Sequence, residues 1–523
     1  MKQAKIDKDA DATTLCLEGP GVTILPGETR SANNAKNSTI ITGRWTPMLA
    51  LAGATCCLGS AVPAGYNIGV MNNPAQIMLA FCNASIQRRY GEEISYDSLH
   101  IVWAAIVSIF LIGGVSGSLT ASSVADKLGR RGALGIGNVC GIIGAVLFLA
   151  SKPFDSIELL MLGRLVVGLS GGLATSLLPM YMTEVAPLNL RGAVGVLCQL
   201  GITCGVLLAQ IAGLDSVLGT ENYWHVMLAS FAPLCILAVL VTFILPESPK
   251  FLFVVKGYEQ RALKELTRLR GVNLNHLLNE VTLLRQESTA SSSTDNWTIS
   301  RVIREPSLRL SLILVCALQC GQQLSGINAV FFYSSSIFME AGLNLKESQY
   351  ATLGTGIINI GMALISVPFM TLFGRRTLLL NSCYTSMACL IVLCISIINI
   401  NSSPIMPWIC IVAILAYVLF YGLGLGPIPY FIGSELFDVG PRPVAMALGS
   451  VSNWGGNFLV AMTFPSLQRA VGPYSFLAYT ACILLLALFS RRYLPETRGR
   501  NTIDIAATMT RGFKSQPNDP NHI

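Results

Sequence analysis

Long apolar stretches dominate this sequence and limit the folds it can adopt. Twelve such runs lie near 46–70, 101–124, 133–150, 157–180, 193–213, 224–245, 307–332, 349–373, 378–400, 407–432, 442–465 and 471–492. A helix of about 20 apolar residues crosses the roughly 30 Å hydrocarbon core of a bilayer. Only 12% of the 523 residues are charged, against about 25% in soluble proteins. The sequence therefore predicts an all-α protein with twelve transmembrane helices, whose main solvent is the lipid bilayer.

The runs fall into two sets of six. We expect a cytoplasmic N-terminal tail over 1–44, a six-helix bundle over 45–245, a cytoplasmic helical linker over 246–306, a second six-helix bundle over 307–492 and a cytoplasmic C-terminal tail over 493–523. The orientation follows from lysine and arginine, which are enriched in cytoplasmic loops and here in the linker and the short loops on the same side.

Inside the linker, apolar residues recur at helical spacing. The stretch 257–270 and the residues Leu274, Leu277, Leu278, Val281 and Leu284 show this pattern. It predicts amphipathic helices lying against the inner mouth of the bundle. The Ser/Thr-rich run 288–294 is interpreted as a flexible connector, and we assign no fold to the chain after Tyr493.

Three short motifs each occur twice, about 250 residues apart. The pairs are Gly129-Arg130-Arg131 with Gly374-Arg375-Arg376, Glu184 through Arg191 with Glu435 through Arg442, and Pro246-Glu247-Ser248 with Pro495-Glu496-Thr497, at offsets of 245, 251 and 249 residues. These repeats indicate two halves of similar structure. Paired six-helix halves are the architecture of major facilitator carriers, whose substrate site lies at the midplane between them.

Polar amides lie inside several apolar runs. On one helical face the fifth run has Gln199, Thr203 and Gln210, and the eleventh has Ser450, Asn453 and Asn457. Further amides in the seventh and eighth runs are Gln319, Gln322, Gln323, Asn328 and Asn359. Hydrogen bonds between helices alone could explain each of them. Because they occur in both halves, we interpret them as lining a wet cavity.

The chemistry of these residues narrows the ligand. Amides both donate and accept hydrogen bonds, as sugar hydroxyls do, and they carry no charge. Arg164 is the one deep cation, which leaves an anionic ligand open, although an arginine bonded to carbonyls or to Tyr66 or Asn67 is the commoner case. No Asp or Glu lies in the central part of a run, so proton coupling lacks its usual group.

Charged residues gather at the inner ends of the runs. We expect a cytoplasmic gate of ion pairs from Arg130, Arg131, Glu184, Arg191, Glu247, Arg375, Arg376, Glu435, Arg442 and Glu496. The alternative is that the arginines only set the topology. Recurrence of both acids and bases in both halves favours the gate.

Other classes of function are disfavoured. No nucleophile, base and orienting group cluster on a loop, as an enzyme would require, and we expect no cofactor and no metal. No basic stretch interleaved with aromatic residues indicates nucleic-acid binding.

Six ordered motifs also resemble those of a known family. They are Gly129-Arg130-Arg131, Glu184 through Gly192, Pro246 through Pro249, Gln322 through Asn328, Gly426 through Pro429, and Pro495-Glu496-Thr497. From about residue 46 to 500 the chain is similar to sugar porters of the major facilitator superfamily, nearest to the facilitative glucose transporters. The resemblance implies passive hexose transport across the plasma membrane, with D-glucose favoured.

Carried over by position, the family's site residues fall on the amides identified above. The resemblance implies hexose contacts at Gln199, Gln322, Gln323, Asn328 and Asn359, with Asn453, Asn457 and Tyr430 beside them. Asn83 matches the glycosylated outer loop. The sequons at Asn37, Asn296 and Asn401 are expected to stay unmodified. Asn67 stands where proton-coupled relatives hold an aspartate.

The chain departs from the family pattern at four places. Gln319-Cys320-Gly321 replaces Gln-Leu-Ser, Tyr430 replaces a tryptophan, Gly422 a glutamate and Thr371 an acid. These departures leave fructose or a broad hexose range open beside glucose. A proton-coupled symporter and a non-transporting sugar sensor are the further alternatives.

Overall fold

The computed structural model describes residues 43–71, 75–91, 96–214, 216–290, 297–330, 338, 342, 344–510 and 512–515. Over these residues the regular structure is helical, without strands. Ten helical segments of this part of the chain are long and apolar enough to cross a bilayer. Two further spans bring the total to the predicted twelve.

These two further spans come from two long helices. Tyr96–Ser151 has 56 residues, a length of about 84 Å that is enough for two crossings. Gly129 divides it, because its φ of 84° and ψ of 172° are not helical. Arg442–Val471 has 30 residues and carries the polar face of Ser450, Asn453 and Asn457, which makes it less apolar than its neighbours.

The spans agree with the predicted runs to within a few residues at most ends. In chain order they are Pro47–Gly69, two within Tyr96–Ser151, Ile157–Val185, Arg191–Ala212, Trp224–Thr242, Arg309–Val330, Leu345–Leu372, Arg375–Ile398, Met406–Leu436, Arg442–Val471 and Ser475–Tyr493. They are called the first to twelfth spans below. The first contains a π-helical turn at Cys57–Ala61, and the tenth consists of Met406–Leu423 and Ile428–Leu436.

Each half has its own buried core, and a few side chains cross between them. Tyr430 and Met446 of the second half pack into a first-half core, Trp454 packs into another, and Val196 of the first half packs into the second-half core. The two halves are therefore in direct side-chain contact.

The linker forms the predicted helices at Glu259–Arg270 and Leu278–Ala290, followed by Ile299–Arg304. Leu277, Val281 and Leu284 pack on Phe251 and its neighbours. Leu274 and Leu278 are instead exposed, because a separate 3₁₀ turn at Leu274–His276 shifts the spacing before the helix begins. Residues 291–294 of the expected connector, and the tail 1–42 with Asn37, lie outside the described residues.

Two helices were not expected. Ala75–Tyr90 follows the first span, and its Arg88 and Arg89 pair with Asp155 and Glu158. The chain after Tyr493, to which no fold was assigned, forms a helix at Thr502–Met509. The expectation that this segment has no fold was wrong, because Ile505 and Met509 of the helix are buried in the second-half core.

Candidate functional site

Amides of the second half form a buried hydrogen-bonded cluster. The Gln322 side chain donates to the Gly426 carbonyl. Asn453 Nδ2 donates to Gln322 Oε1 over 2.6 Å and to Gln319 Oε1 over 2.9 Å. These residues are 0–5% exposed. The seventh, tenth and eleventh spans therefore meet through polar side chains in the interior.

The cluster continues through a break in the seventh span. Its helix ends at Leu324, and Gly326 adopts a φ of 86°, a conformation that glycine tolerates best. Asn328 consequently turns back, and its Nδ2 donates to Gln323 Oε1 over 2.6 Å and to Asn457 Oδ1 over 2.9 Å. Gln323 Nε2 in turn donates to Asn453 Oδ1 over 3.1 Å.

Two predicted residues stand apart from this network. Gln199 of the fifth span is 5% exposed and hydrogen-bonds to no described residue. Its Nε2 lies 3.5 Å from where a Cβ on Gly426 would stand. Asn359 of the eighth span is 4% exposed, and its Oδ1 is buried without a partner among the described residues.

The eight predicted substrate-binding residues lie on or beside the tenth span or are joined to it through the amide network. Gln199 and Gln322 lie at Gly426, and Asn359 Oδ1 is 3.5 Å from where a Cβ on Gly422 would stand. Tyr430 is buried beside Asn453. Asn328 and Asn457 complete the group through Gln323. The geometry thus gathers amides of both halves beside one span, and two of them keep unused hydrogen-bonding capacity.

At the linker-side ends of the spans, one ion pair joins the two halves. Arg442 Nη1 of the second half lies 3.2 Å from Glu184 Oε1 of the first. Glu184 Oε2 also accepts from Arg130 Nε over 3.0 Å and from Ser248 Oγ over 2.6 Å. The side chains of Glu184, Arg130 and Arg442 are at most 2% exposed. The mouth on this side is therefore closed.

The second half repeats part of this arrangement. Arg375 Nη2 lies 3.1 Å from Glu435 Oε1, and Thr497 Oγ1 donates to Glu435 Oε2 over 2.5 Å. Arg191, the counterpart of Arg442, forms no ion pair with a described residue, and its buried Nε has no partner there. Of the two symmetry-related ion pairs that could join the halves, the described residues form only Glu184–Arg442.

The remaining four predicted gate residues make contacts within their own halves. Glu247 accepts from the backbone N–H of Arg130 and Arg131 over 3.0 and 3.2 Å. Arg131 Nη1 donates to the Leu245 carbonyl. A Cβ on Gly129 would lie 2.3 Å from Glu247 Oε2, which explains the glycine of the motif.

The same cap occurs in the second half. Glu496 accepts from the N–H groups of Arg375 and Arg376 over 2.8 and 3.2 Å, and a Cβ on Gly374 would lie 2.0 Å from its Oε2. Arg376 donates to the Arg491 carbonyl. Carboxylates at a helix start satisfy unpaired N–H groups and interact favourably with the helix dipole. The third and ninth spans are thus capped by the chain segment that closes each half.

Arg164 is bonded to carbonyls. Its Nη1 donates to the Asn67 carbonyl over 2.9 Å, its Nε to the Ile106 carbonyl over 3.5 Å, and its guanidinium lies 4.3 Å from the Phe110 ring centroid. The arginine is therefore held by the first half itself.

Sequence reasoning missed one ion pair at the gate. Glu287 of the linker receives hydrogen bonds from Lys250, at 2.7 Å to Oε2, and both side chains are nearly buried. Burial raises the pKa of the Glu287 carboxyl, but Lys250, Arg442 and Arg191 outweigh this and leave the pKa below its ordinary value. The signal available was an acid on the apolar face of a linker helix, three residues after Leu284.

The sequon of Asn83 lies in the helix Ala75–Tyr90, at the end of the bundle opposite the linker. The Asn83 side chain is exposed, and Ser85 Oγ donates to the Asp155 carbonyl. Asn401 is also exposed, in the short turn between the ninth and tenth spans. Asn296 lies outside the described residues.

Comparisons with known proteins agree with this architecture. A proton:xylose symporter, XylE, solved with 6-bromo-6-deoxy-D-glucose, matches 88% of this chain and 99% of its own with a TM-score of 0.78 at 21% identity. FucP, a major facilitator transporter in the outward conformation, matches with a TM-score of 0.57 at 15% identity. The fold is that of the major facilitator class, with twelve membrane helices in two halves.

The family follows from the sequence matches. Residues 53–508 match the profile described as "Sugar (and other) transporter". The chain is 38% identical over 470 residues to "Solute carrier family 2, facilitated glucose transporter member 1" of Gallus gallus, covering 90% of this chain and 94% of that protein. The facilitated glucose transporter member 3 of Oryctolagus cuniculus is 39% identical, over 92% of this chain and 96% of that protein. Member 5 of Mus musculus is 37% identical, over 90% of this chain and 93% of that protein. This chain belongs to the sugar transporter family, whose members are transporters rather than enzymes.

Proposed function

We propose that this protein carries a hexose, D-glucose first, across the plasma membrane as a facilitative uniporter. The relatives named facilitated glucose transporters match it over about nine tenths of its length. Family membership supports sugar as the substrate class. The finer choice of hexose and of uniport rests on the residues of the site.

The unpartnered amides carry this proposal. Asn359 of the second half has a buried Oδ1 without a partner among the described residues. Gln199 of the first half is 5% exposed and forms no hydrogen bond to a described residue. A buried polar group left unpaired costs about 1–3 kcal/mol. A neutral amide matches a hydroxyl as both donor and acceptor. A polyhydroxylated, uncharged ligand between the halves would satisfy both.

Alternating access is supported by the closed linker-side mouth. The Glu184–Arg442 pair joins the halves there, so a ligand at the amides would leave on this side only after the pair separates. Under the lysine and arginine bias this is the cytoplasmic side, and both termini lie on it. Asn83, at the opposite end, is then the glycosylated position.

Uniport is supported by the charges within the spans. In the described spans the acids lie near the ends: Asp126, Glu184 and Glu435 on the linker side, and Asp97, Glu158 and Glu347 on the opposite side. Arg164 is bonded to carbonyls. Proton relays in membranes usually rely on Asp, Glu or His. Transport that continues after the proton gradient is collapsed is expected.

A range wider than glucose is the second candidate, and one observation favours it. Gly422 faces Asn359 Oδ1 without a side chain, so position 422 supplies no carboxylate or hydroxyl to this part of the site. Fructose, galactose and mannose are therefore tested beside glucose.

The test is uptake of radiolabelled D-glucose by transporter-deficient cells expressing the chain. We expect uptake, resistance to a protonophore, and inhibition by competing hexoses in an order that defines the preference. Gln322→Leu should lower uptake roughly 5-fold to 100-fold, while the exposed linker variant Gln286→Leu should not. Undiminished uptake by Gln322→Leu would reject the site, and a chain that binds glucose without uptake would be a sensor.

A further inference from the structure

Trp454 of the eleventh span is packed into the first half. It is 2% exposed, and its Nε1 donates to Thr175 Oγ1 over 3.3 Å. Its ring meets Phe110 edge-on with the centroids 5.3 Å apart. The residue directly before it is Asn453, a member of the amide cluster. One turn of the eleventh span therefore contacts both the proposed sugar site and the opposite half.

Two glycines of the first half shape the socket around this ring. A Cβ on Gly114 would lie 2.6 Å from indole Cδ2, closer than real side chains approach. A Cβ on Gly171 would lie 3.5 Å from the ring, at ordinary van der Waals distance. A methyl group at position 114 would therefore expel the ring, whereas one at position 171 would add a contact.

One turn earlier, Ser450 continues the contact between the halves. Its hydroxyl lies 2.8 Å from those of both Ser118 and Thr175, and all three residues are at most 5% exposed. Ser450 is about 12 Å and Trp454 about 18 Å along the helix from Arg442. The contact thus extends from the Glu184–Arg442 pair toward the membrane middle.

We propose that Trp454, its glycine-lined socket and the Ser450 hydroxyl form a second latch between the halves, deeper than the ion pair. The latch has to separate each time the linker-side mouth opens. Trp454 is a positioning residue: it acts through the halves and through Asn453 rather than by binding the sugar. This inference rests on the proposed function, because it requires alternating access.

A reversible cross-link tests whether the latch must open. In Ser118→Cys/Ser450→Cys the two sulfurs replace oxygens 2.8 Å apart, within reach of a disulfide. A membrane-permeant oxidant should form the cross-link, seen by mass spectrometry, and abolish hexose uptake until a reductant is added. The two single variants should show no loss of uptake that depends on oxidation.

The outcomes separate this inference from the proposed function. Absence of the cross-link, or full uptake by the cross-linked protein, would overturn the latch while leaving hexose transport intact. A parent chain that takes up no hexose would overturn the transport proposal, and the cross-link would still report the contact.

The socket itself is tested by a matched pair of glycine variants in the full chain, reconstituted in nanodiscs. Hydrogen–deuterium exchange at the linker-side end of the eleventh span should become faster in Gly114→Ala, by roughly fivefold for the loss of one buried hydrogen bond. It should become slower in Gly171→Ala, by roughly threefold to fourfold for one added buried methyl contact. Adding Trp454→Leu to Gly114→Ala should reverse part of the increase in the exchange rate. Equal shifts in one direction, or none, would overturn the socket.

Discussion

Arg442 reaches from the second half to Glu184 of the first across 3.2 Å, and Glu184 simultaneously accepts from Arg130. One buried carboxylate thus serves two arginines from opposite halves. Its symmetry counterpart, Glu435, pairs among the described residues with Arg375 of its own half. The ion pair between the halves therefore depends on a single acid.

We predict that Glu184→Gln lowers stability far more than removal of an exposed pair does. The substitution leaves the buried Arg442 without a charge partner and Arg130 with only the longer contact to Asp126 at 3.6 Å, and breaking a buried pair costs about 3–5 kcal/mol. Asp155→Asn breaks the more exposed pair with Arg88 and should cost below about 1 kcal/mol. Thermal unfolding of the purified protein compares them, and equal shifts would contradict the buried role of Glu184.

Asn359→Leu and Asn453→Leu should change stability in opposite directions. Asn359 keeps an unpaired buried oxygen, so its replacement removes a cost of about 1–3 kcal/mol and raises the melting temperature. Asn453 is hydrogen-bonded to Gln319, Gln322 and Gln323, so its replacement lowers the melting temperature.

The same two variants report on ligand binding. Stabilisation of the parent by D-glucose should disappear in Asn359→Leu. If Asn359→Leu melted lower than the parent and still gained full stabilisation by glucose, the unpaired oxygen would not be part of the site.

The linker should be released at acid pH. Because the pKa of Glu287 is held below its ordinary value of 4.5, its contribution is complete above that value and is lost as the pH falls through the lowered pKa. The protection of residues 278–290 against hydrogen exchange, taken relative to the intrinsic rate at each pH, should stay high from about pH 5.5 to 7.5 and fall at lower pH. Glu287→Gln should give fast exchange already at neutral pH.

The exposed pair between Glu259 and Arg285 provides the matched control for the linker. Glu259→Gln removes a similar charge from the same surface and should leave the exchange of 278–290 near that of the parent at pH 7. Comparable effects of both variants would show that Glu287 has no special role.

The C-terminal helix should contribute to the stability of the second half. Met509 is 0% exposed in that core, so Met509→Ala should cost about 2–5 kcal/mol. Ala507 is exposed on the same helix, and Ala507→Ser should cost about 0.5 kcal/mol. A small effect of Met509→Ala in thermal unfolding would show that the helix is only loosely attached.

Hydrophobic runs predicted the spans well because a bilayer imposes one length and one solvent on all of them. The helix after Tyr493 was not predicted because its apolar contact with the core comes from scattered residues, Ile505 and Met509, and a criterion based on long apolar runs does not detect such a helix. The helix Ala75–Tyr90 carries Arg88 and Arg89 and lacks a comparable signal.

The repeated motifs located the charged cluster but not its pairing. Glu184 and Glu247 both lie at linker-side ends of spans, yet one bridges the halves and the other caps a helix. This choice depends on which backbone N–H groups face each carboxylate in three dimensions. Ser450 was expected to face the cavity with Asn453, but the eleventh span lies between both halves, and successive turns meet different neighbours.

The two caps have a consequence for how the molecule is built. Glu247 and Glu496 each lie just after the sixth helix of their own set and hold the start of its third. A polypeptide cut within the linker, after Glu247, would keep both helix caps, one in each fragment. Neither cap needs a continuous linker, so each six-helix half contains its own closing contact, as in a molecule assembled from two formerly separate copies.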